Sequence, residues 1–338
     1  MQLVMLSARP QVATETMVHV RHFMPWIDDL VVVCPKDQAD AYGALCATVV
    51  TDESLLQTAS SDVAALDHTT RNFVLRGALA RHPAVADEFV MTDDDYRPLK
   101  PVGVDGFRTP DGLDRSFYFY DLGAWPGAST PFDEGQHDVG QLLGYLGVDR
   151  LAYASHMPQV VRKEIMAGAW SEVEGLTDRR RLCEWALYFN LGRARRPELF
   201  AEAEPFRTLC WPQYPHEWPA WVTPGDYAFE NFYPDLYRPG HLFDGIPTAL
   251  DPEHVERHNV EKILRWSEFG RRVARLDFPD DIANPWTGDS VARKASFGVL
   301  RGLRKAYDYV ALDERARITE LQGAVARLEE ELRHLRRR

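Results

Sequence analysis

The alternation of strand-like and helix-like segments over the first hundred residues most constrains the fold of this 338-residue chain. Short apolar runs predict strands, and the segments between them have helical patterns. The run LVVVC at residues 30–34 is unbroken, which is typical of a parallel strand buried on both faces. The predicted strands are residues 3–6, 30–34, 48–51 and 88–92, and the predicted helices are residues 12–24, 37–46 and 68–81. This order predicts an α/β fold with a largely parallel sheet, in which ligands bind beyond the carboxyl ends of the strands.

The middle of the chain is less regular. Residues 116–120 (SFYFY) predict a strand, and residues 135–146, 180–192 and 253–276 predict helices. Residues 205–250 are rich in Trp, Tyr and Pro and predict long ordered loops. They form either a lid or stacking surface, or a subdomain held together by aromatic packing.

Charge and cysteine content narrow the class of protein. The net charge of −12 argues against a protein that binds nucleic acid through its overall charge, so no nucleic-acid partner is expected. The scattered cysteines contain no C-x-x-C pair and predict reduced thiols rather than disulfides or a zinc site. The chain has no run of about 20 apolar residues. Its first ten residues lack the regions of a secretory signal. These features predict a cytoplasmic protein.

The C-terminal part differs from the rest. Residues 277–290 predict a linker, and residues 291–310 predict a basic helix with an apolar side. That helix would lie on an anionic membrane surface, as a peripheral contact, or against the acidic body of the same chain. A strict 3.5-residue apolar repeat over residues 318–335 predicts a coiled coil that makes the chain a homo-oligomer. The alternative is a helix that packs on its own chain.

Three adjacent carboxylates, Asp93, Asp94 and Asp95, follow the strand EFVMT directly. Adjacent carboxylates at the end of a buried strand repel one another unless a positive group lies near them. A hard cation such as Mn²⁺ or Mg²⁺ takes oxygen ligands and shares its coordination shell with phosphate. The triplet therefore predicts a metal site, and the alternative is a solvated acidic turn. A bound cation would also let an acidic protein bind an anionic ligand.

The stretch DHTTRNFVLRGALARHPAVADEFVMTDDD resembles the donor-site region of GT-A glycosyltransferases, in which an Arg-Asn pair opens a helix and the next strand ends in an Asp-x-Asp-type motif. The resemblance implies a GT-A-like, Rossmann-type mixed sheet with flanking helices. It also implies a UDP- or GDP-linked nucleotide-sugar donor and a Mn²⁺ or Mg²⁺ cofactor. The implied donor-binding residues are Arg9, Arg71, Asn72, Asp93 and Asp94, and the predicted metal ligands are Asp93, Asp95 and His156.

A second resemblance overlaps the first. TDDDYRPLKPV, followed by SHMPQVVRKEIM, is similar to the Stealth family of sugar-phosphate transferases. The matching positions are Asp94, Asp95, Lys100, Pro101, His156, Met157, Pro158, Arg181 and Glu184. The family's Thr-Trp-Val-Asp-Gly-like turn is absent, and this chain has LVMLSARP at the corresponding place.

Three side chains are the predicted catalytic residues. Glu184 lies between apolar residues of a predicted helix, where burial raises a carboxyl pKa toward that of a general base; the alternative is an ion pair with a neighbouring arginine of the same helix. His156 precedes Met-Pro at a predicted exposed sheet edge and could act as a base, a metal ligand or a hydrogen-bond donor to phosphate. Arg181 could hold a phosphate.

The sequence thus predicts a metal-dependent glycosyltransferase that moves a sugar from a nucleotide-sugar donor to a cell-surface glycan or its lipid-linked precursor. The alternatives are a Stealth-like sugar-1-phosphate transferase and an inactive coiled-coil scaffold. The predicted catalytic domain covers residues 1–276, with a nucleotide-binding half at 1–100 and an acceptor half with aromatic loops at 101–276. The predicted linker at 277–290 and the helical extension at 291–338 follow it.

Overall fold

A computed structural model describes residues 1–45, 48–125, 130–176, 181–211 and 226–274. The strands are β1 (Gln2–Leu6), β2 (Asp29–Cys34), β3 (Thr48–Thr51), β4 (Glu88–Asp93), β5 (Tyr96–Pro98), β6 (Phe117–Tyr118), β7 (Tyr120–Asp121), β8 (Leu151–Ala152), β9 (Gln159–Arg162), β10 (Glu204–Pro205), β11 (Thr208–Leu209) and β12 (Phe229–Asn231). The helices are α1 (Pro10–Phe23), α2 (Ala39–Tyr42), α3 (Asp52–Leu56), α4 (Ser60–Ala64), α5 (His68–Leu79), α6 (Pro131–Tyr145), α7 (Lys163–Val173), α8 (Glu184–Arg195) and α9 (Val255–Ala274).

The central sheet has the order β3-β2-β1-β4-β9 in the described part of the chain. The first four strands are parallel, and β9 pairs antiparallel with β4. Every residue of β1 is buried, as expected for a strand covered on both faces. The predicted mixed α/β sheet with flanking helices is confirmed, and the strands of its parallel part lie within two residues of their predicted bounds.

Helices α5, α6, α7 and α8 pack against one another beside this sheet. Helix α5 begins after Asp67, whose carboxylate accepts a hydrogen bond from the Thr70 amide at 3.1 Å. Helix α8 is buried on all sides over its first nine residues, so its sequence has no amphipathic stripe. These helices place the start of α5 and the start of α8 close to the carboxyl end of β4.

Two predicted elements differ from the structure. The predicted strand at residues 116–120 divides into β6, which pairs with β10, and β7, which pairs with β8. An aromatic run favours extended backbone but does not determine its pairing partner. The predicted helix at 180–192 begins only at Glu184, because the Cys183 backbone is extended and its amide donates to the Gly135 carbonyl of α6 at 3.3 Å; Arg181 lies before the helix and pairs with Asp67 and Glu134.

A smaller layer covers one edge of the molecule. Strand β12 pairs with β11 and β5, and α9 packs over them around Leu99, Phe243 and Trp266. Under α9, the Lys262 ammonium lies 2.7 Å from the Glu230 carboxylate, and both side chains are buried. This buried ion pair connects α9 to β12.

No helix in the described ranges is both long and apolar enough to cross a membrane. The predicted linker, basic helix and coiled coil fall on residues 275–338, outside the described residues. The peripheral membrane contact and the homo-oligomer therefore stay predictions.

Candidate functional site

The candidate site lies at the carboxyl ends of two neighbouring parallel strands. Leu6 of β1 is in register with Asp93 of β4, so the chain that follows each strand enters the same region. Ligands of open α/β sheets bind at this edge. The first turns of α5 lie beside it and bring further polar side chains to the same place.

A cleft of about 420 Å³ occupies this edge. Its size lies in the usual range for a small-molecule site. All seven residues that the sequence predicted for donor and metal binding line it. The lining residues are Leu6, Ser7, Ala8, Arg9, His68, Arg71, Asn72, Leu75, Asp93, Asp94, Asp95 and His156.

Asp94 is the most enclosed member of the acidic triplet. Its Oδ2 accepts a hydrogen bond from Ser7 Oγ at 2.7 Å, and Ser7 Oγ also lies 2.7 Å from the Tyr42 hydroxyl. Arg9 Nε donates to the same carboxylate oxygen at 3.2 Å. Burial raises the pKa of Asp94 to about 6, although its hydrogen bond with Arg9 opposes the shift. Asp94 therefore holds Arg9 at the rim of the cleft.

Asp95 shares that arginine. Arg9 Nη2 lies 2.9 Å from Asp95 Oδ2, whereas Asp95 Oδ1 is buried and has no hydrogen-bond partner among the described residues. Burial raises the pKa of Asp95, against the attraction of Arg9. The arginine is half exposed and partly neutralises both carboxylates.

The side chains of the cleft fit a divalent cation whose coordination shell is completed by phosphate oxygens. Among the described residues, no three His, Cys, Asp or Glu side chains converge as a metal site on their own. Mg²⁺ needs only one or two protein carboxylates when phosphate oxygens and water fill the remaining positions. Asp93 and Asp95 both line the cleft, and Asp95 has an oxygen without a partner. The cation stays a prediction, with Asp93, Asp95 and His156, which also lines the cleft, as its predicted ligands.

Asp93 is held by a side chain on the buried side of the cleft. Its Oδ1 accepts a hydrogen bond from Nη2 of Arg76, a side chain with no exposed surface. Burial raises the pKa of Asp93, but the Arg76 charge and a hydrogen bond from Tyr96 outweigh it, so the pKa lies below its usual value. On its other side, Arg76 Nε lies 3.2 Å from Glu184 Oε1.

Glu184 does not line the cleft. It is 5% exposed at the first turn of α8, behind Arg76. Burial raises its pKa to about 7, against the Arg76 charge, which agrees in direction with the sequence-based expectation. Its ion-pair partner is Arg76 of α5 rather than an arginine of its own helix.

His156 lies in the loop between β8 and β9 and is half-buried, not exposed as predicted. Its backbone has φ of 48°, in the left-handed region that non-glycine residues rarely adopt. Its ring lies 4.0 Å from the Trp211 ring and 4.8 Å from the Tyr96 ring, measured between centroids. Burial lowers its pKa to about 3, so the ring is neutral at pH 7. Its buried Nδ1 has no partner in the described part of the chain.

Arg71 and Asn72 extend from α5 into the cleft. Asn72 Nδ2 lies 3.3 Å from His68 Nε2. Among the described residues, Arg71 Nε is buried without a hydrogen-bond partner, and no carboxylate lies within ion-pair distance of this side chain. Arg71 thus offers an unpaired positive charge to a ligand.

Other predicted residues lie outside the cleft. Arg181 pairs with Asp67 and Glu134 and is not among the lining residues. Lys100 pairs with Asp226, and Met157 Sδ accepts a hydrogen bond from the Arg207 amide at 3.2 Å. The residues that match the sugar-phosphate transferases therefore only partly come together, at Asp94, Asp95 and His156.

Sequence reasoning missed Ser7, Tyr42, Arg76 and Tyr96. Ser7 directly follows β1, and its position at a strand end was an available signal. Arg76 and Tyr96 are buried, and Tyr42 reaches the site from α2. Nothing local in the sequence distinguishes these three from core residues.

No model of a known protein family and no curated protein matches the chain. Among solved structures, it is similar to the crystal structure of mouse xyloside xylosyltransferase 1 in its apo form. That similarity has 13% sequence identity and a TM-score of 0.43, and it covers 69% of this chain and 98% of the other.

Proposed function

We propose that the chain is a nucleotide-sugar glycosyltransferase whose donor diphosphate binds in the cleft at the ends of β1 and β4. The observation that carries the proposal is the meeting of Arg9, Arg71 and the acidic triplet in one cleft. These residues come from three separate segments of the sequence. The resemblance of the sequence to GT-A donor sites selects the same residues.

The charges of the site suit a diphosphate that arrives with a cation. Three carboxylates, at Asp93, Asp94 and Asp95, face the guanidinium groups of Arg9, Arg71 and, from beneath, Arg76. These charges nearly cancel. A nucleotide sugar adds about two negative charges, and a divalent cation offsets them, so the loaded cleft stays close to neutral.

Each group then has a role. Arg71 donates hydrogen bonds to phosphate oxygens, because planar guanidinium groups suit phosphate. Arg9, held by Asp94, lies at the rim where a second phosphate contact forms. A cation held by Asp93 and Asp95 would stabilise the negative charge of the leaving diphosphate. The neutral His156 ring lines the cleft, where it would form a hydrogen bond with a hydroxyl group of the sugar or the acceptor.

Product analysis tests this proposal. We would incubate the protein with Mn²⁺, a panel of UDP- and GDP-sugars and glycan or lipid-linked acceptors, and then separate the nucleotides. Release of a nucleoside diphosphate by the wild type, and its loss in Asp95→Asn, is the expected result. Release of a nucleoside monophosphate would instead identify a sugar-1-phosphate transferase. Release of neither, from any donor, contradicts both enzymatic functions and favours the scaffold.

A further inference from the structure

Arg76 connects two carboxylates that lie on different elements. Its guanidinium donates to Asp93 Oδ1 at the end of β4 and lies 3.2 Å from Glu184 Oε1 at the start of α8. Its Cζ is 4.4 Å from the centre of the Trp185 ring. Of the groups that Arg76 contacts here, Asp93 alone lines the cleft.

The position of Glu184 bears on its chemistry. A general base must lie within hydrogen-bond reach of the proton that it accepts, directly or through one water. Glu184 is buried behind Arg76 and does not line the cleft. What it does contact is the guanidinium that holds Asp93.

We infer that Arg76 and Glu184 are positioning residues that hold the Asp93 carboxylate at the edge of the cleft, with Glu184 acting only through Arg76. The inference rests on the proposed function, in which Asp93 serves the diphosphate and its cation. The planar guanidinium can engage one carboxylate on each of two sides, whereas a lysine ammonium is a single point charge. Arg76→Lys therefore keeps the charge and loses the bridge.

The same strand provides a matched control at its other end. Arg162 also connects two carboxylates, Glu88 at the start of β4 and the fully buried Asp114. Its Nε lies 2.7 Å from Asp114 Oδ2. Arg108 also bridges these two carboxylates, so Arg162→Lys removes one of two such bridges, at the opposite end of β4 from Asp93.

The experiment compares Arg76→Lys, Glu184→Gln and Arg162→Lys with the wild type. The first measurement is amide hydrogen exchange at residues 93–95 without ligand. We expect faster exchange there in Arg76→Lys, a smaller increase in Glu184→Gln, and no change in Arg162→Lys. The second is the Kd of a nucleoside diphosphate with Mn²⁺, which we expect to rise about tenfold in Arg76→Lys and not in Arg162→Lys.

Kinetics separate positioning from catalysis. We expect Glu184→Gln to raise the donor KM about threefold and to lower kcat less than tenfold. A fall in kcat of roughly 100-fold or more at unchanged KM has the size of a lost general base and would overturn the inference. Unchanged exchange and affinity in Arg76→Lys would also overturn it. If Arg76→Lys does not fold, Glu184→Gln still reports through exchange and kinetics.

Failure of the proposed function gives a different pattern. In that case the wild type binds no nucleoside diphosphate, while exchange at residues 93–95 still measures whether Arg76 and Glu184 position Asp93. Faster exchange in the two variants then supports the positioning, and unchanged exchange contradicts it.

Discussion

Replacing Arg9 with glutamine should strengthen Mn²⁺ binding in the absence of nucleotide. Arg9 Nη2 lies 2.9 Å from Asp95 Oδ2, and Arg9 Nε lies 3.2 Å from Asp94 Oδ2, so the guanidinium occupies one of the carboxylates that a cation would use, Asp95. A cation bound to Asp95 would lie roughly 5 Å from the guanidinium if the arginine stayed in place. Mn²⁺ and Arg9 would therefore compete.

Coulomb's law gives the size of this competition. Charges of +2 and +1 at about 5 Å repel by about 2 kcal/mol at the dielectric constant of water and about 7 kcal/mol at an effective value of 20. Because the Arg9 side chain is half exposed, the lower figure applies. About 2 kcal/mol corresponds to a fall in the Mn²⁺ Kd of tenfold or more.

Isothermal titration calorimetry with Mn²⁺ alone measures this change. Arg195→Gln is the matched control, because Arg195 is similarly exposed and pairs with Glu172 away from the cleft. We expect its Mn²⁺ affinity to equal that of the wild type. An Mn²⁺ Kd in Arg9→Gln that is unchanged or higher would refute the idea that the cation uses the Asp95 carboxylate held by Arg9.

Three further predictions concern stability. Lys262→Met breaks the buried ion pair under α9 and should lower the free energy of unfolding, measured by chemical denaturation, by about 3–5 kcal/mol. Most of this loss should be recovered when its partner, Glu230, is also replaced by a neutral residue. Burial lowers the pKa of His19 to about 4, below its ordinary value, so the unfolded chain binds the proton first. The free energy of unfolding should therefore fall as the pH drops from about 6.5 to 4, by up to about 3 kcal/mol from this residue, and His19→Gln should remove that part of the slope. Gly77→Ala should destabilise α5 by about 1–3 kcal/mol because a Cβ would overlap the Trp170 indole, whereas Gly168→Ala, which meets open space, should be neutral or stabilising in a thermal melt.

The sequence predicts the central sheet well because burial on both faces leaves a local signature. The unbroken apolar run at residues 30–34 falls within β2, Asp29–Cys34. Residues 116–120 were harder, since their division between β6 and β7 depends on partners more than 30 residues away. Strand pairing of this kind leaves no mark in the local sequence.

The candidate site also has a part that the sequence predicts and a part that it does not. Residues at the ends of β1 and β4 could be expected to meet, because carboxyl ends of parallel strands share one edge of a sheet. The contact of Arg76 with Glu184 could not, since it joins α5 to α8 across more than 100 residues of sequence. The sequence pattern around Arg181 predicted a helix there, whereas the helix begins at Glu184 and Arg181 pairs with Asp67 and Glu134 before it.

A calorimetric titration of the wild type with UDP and with GDP, each with and without Mn²⁺, tests the central claim most directly. The claim is that the cleft at the ends of β1 and β4 binds a nucleoside diphosphate together with a divalent cation. We expect saturable binding of at least one of the two nucleotides, tighter with Mn²⁺ and strongly weakened in Asp95→Asn. Absence of binding to both nucleotides in the presence of Mn²⁺, or binding that Asp95→Asn leaves unchanged, would contradict it.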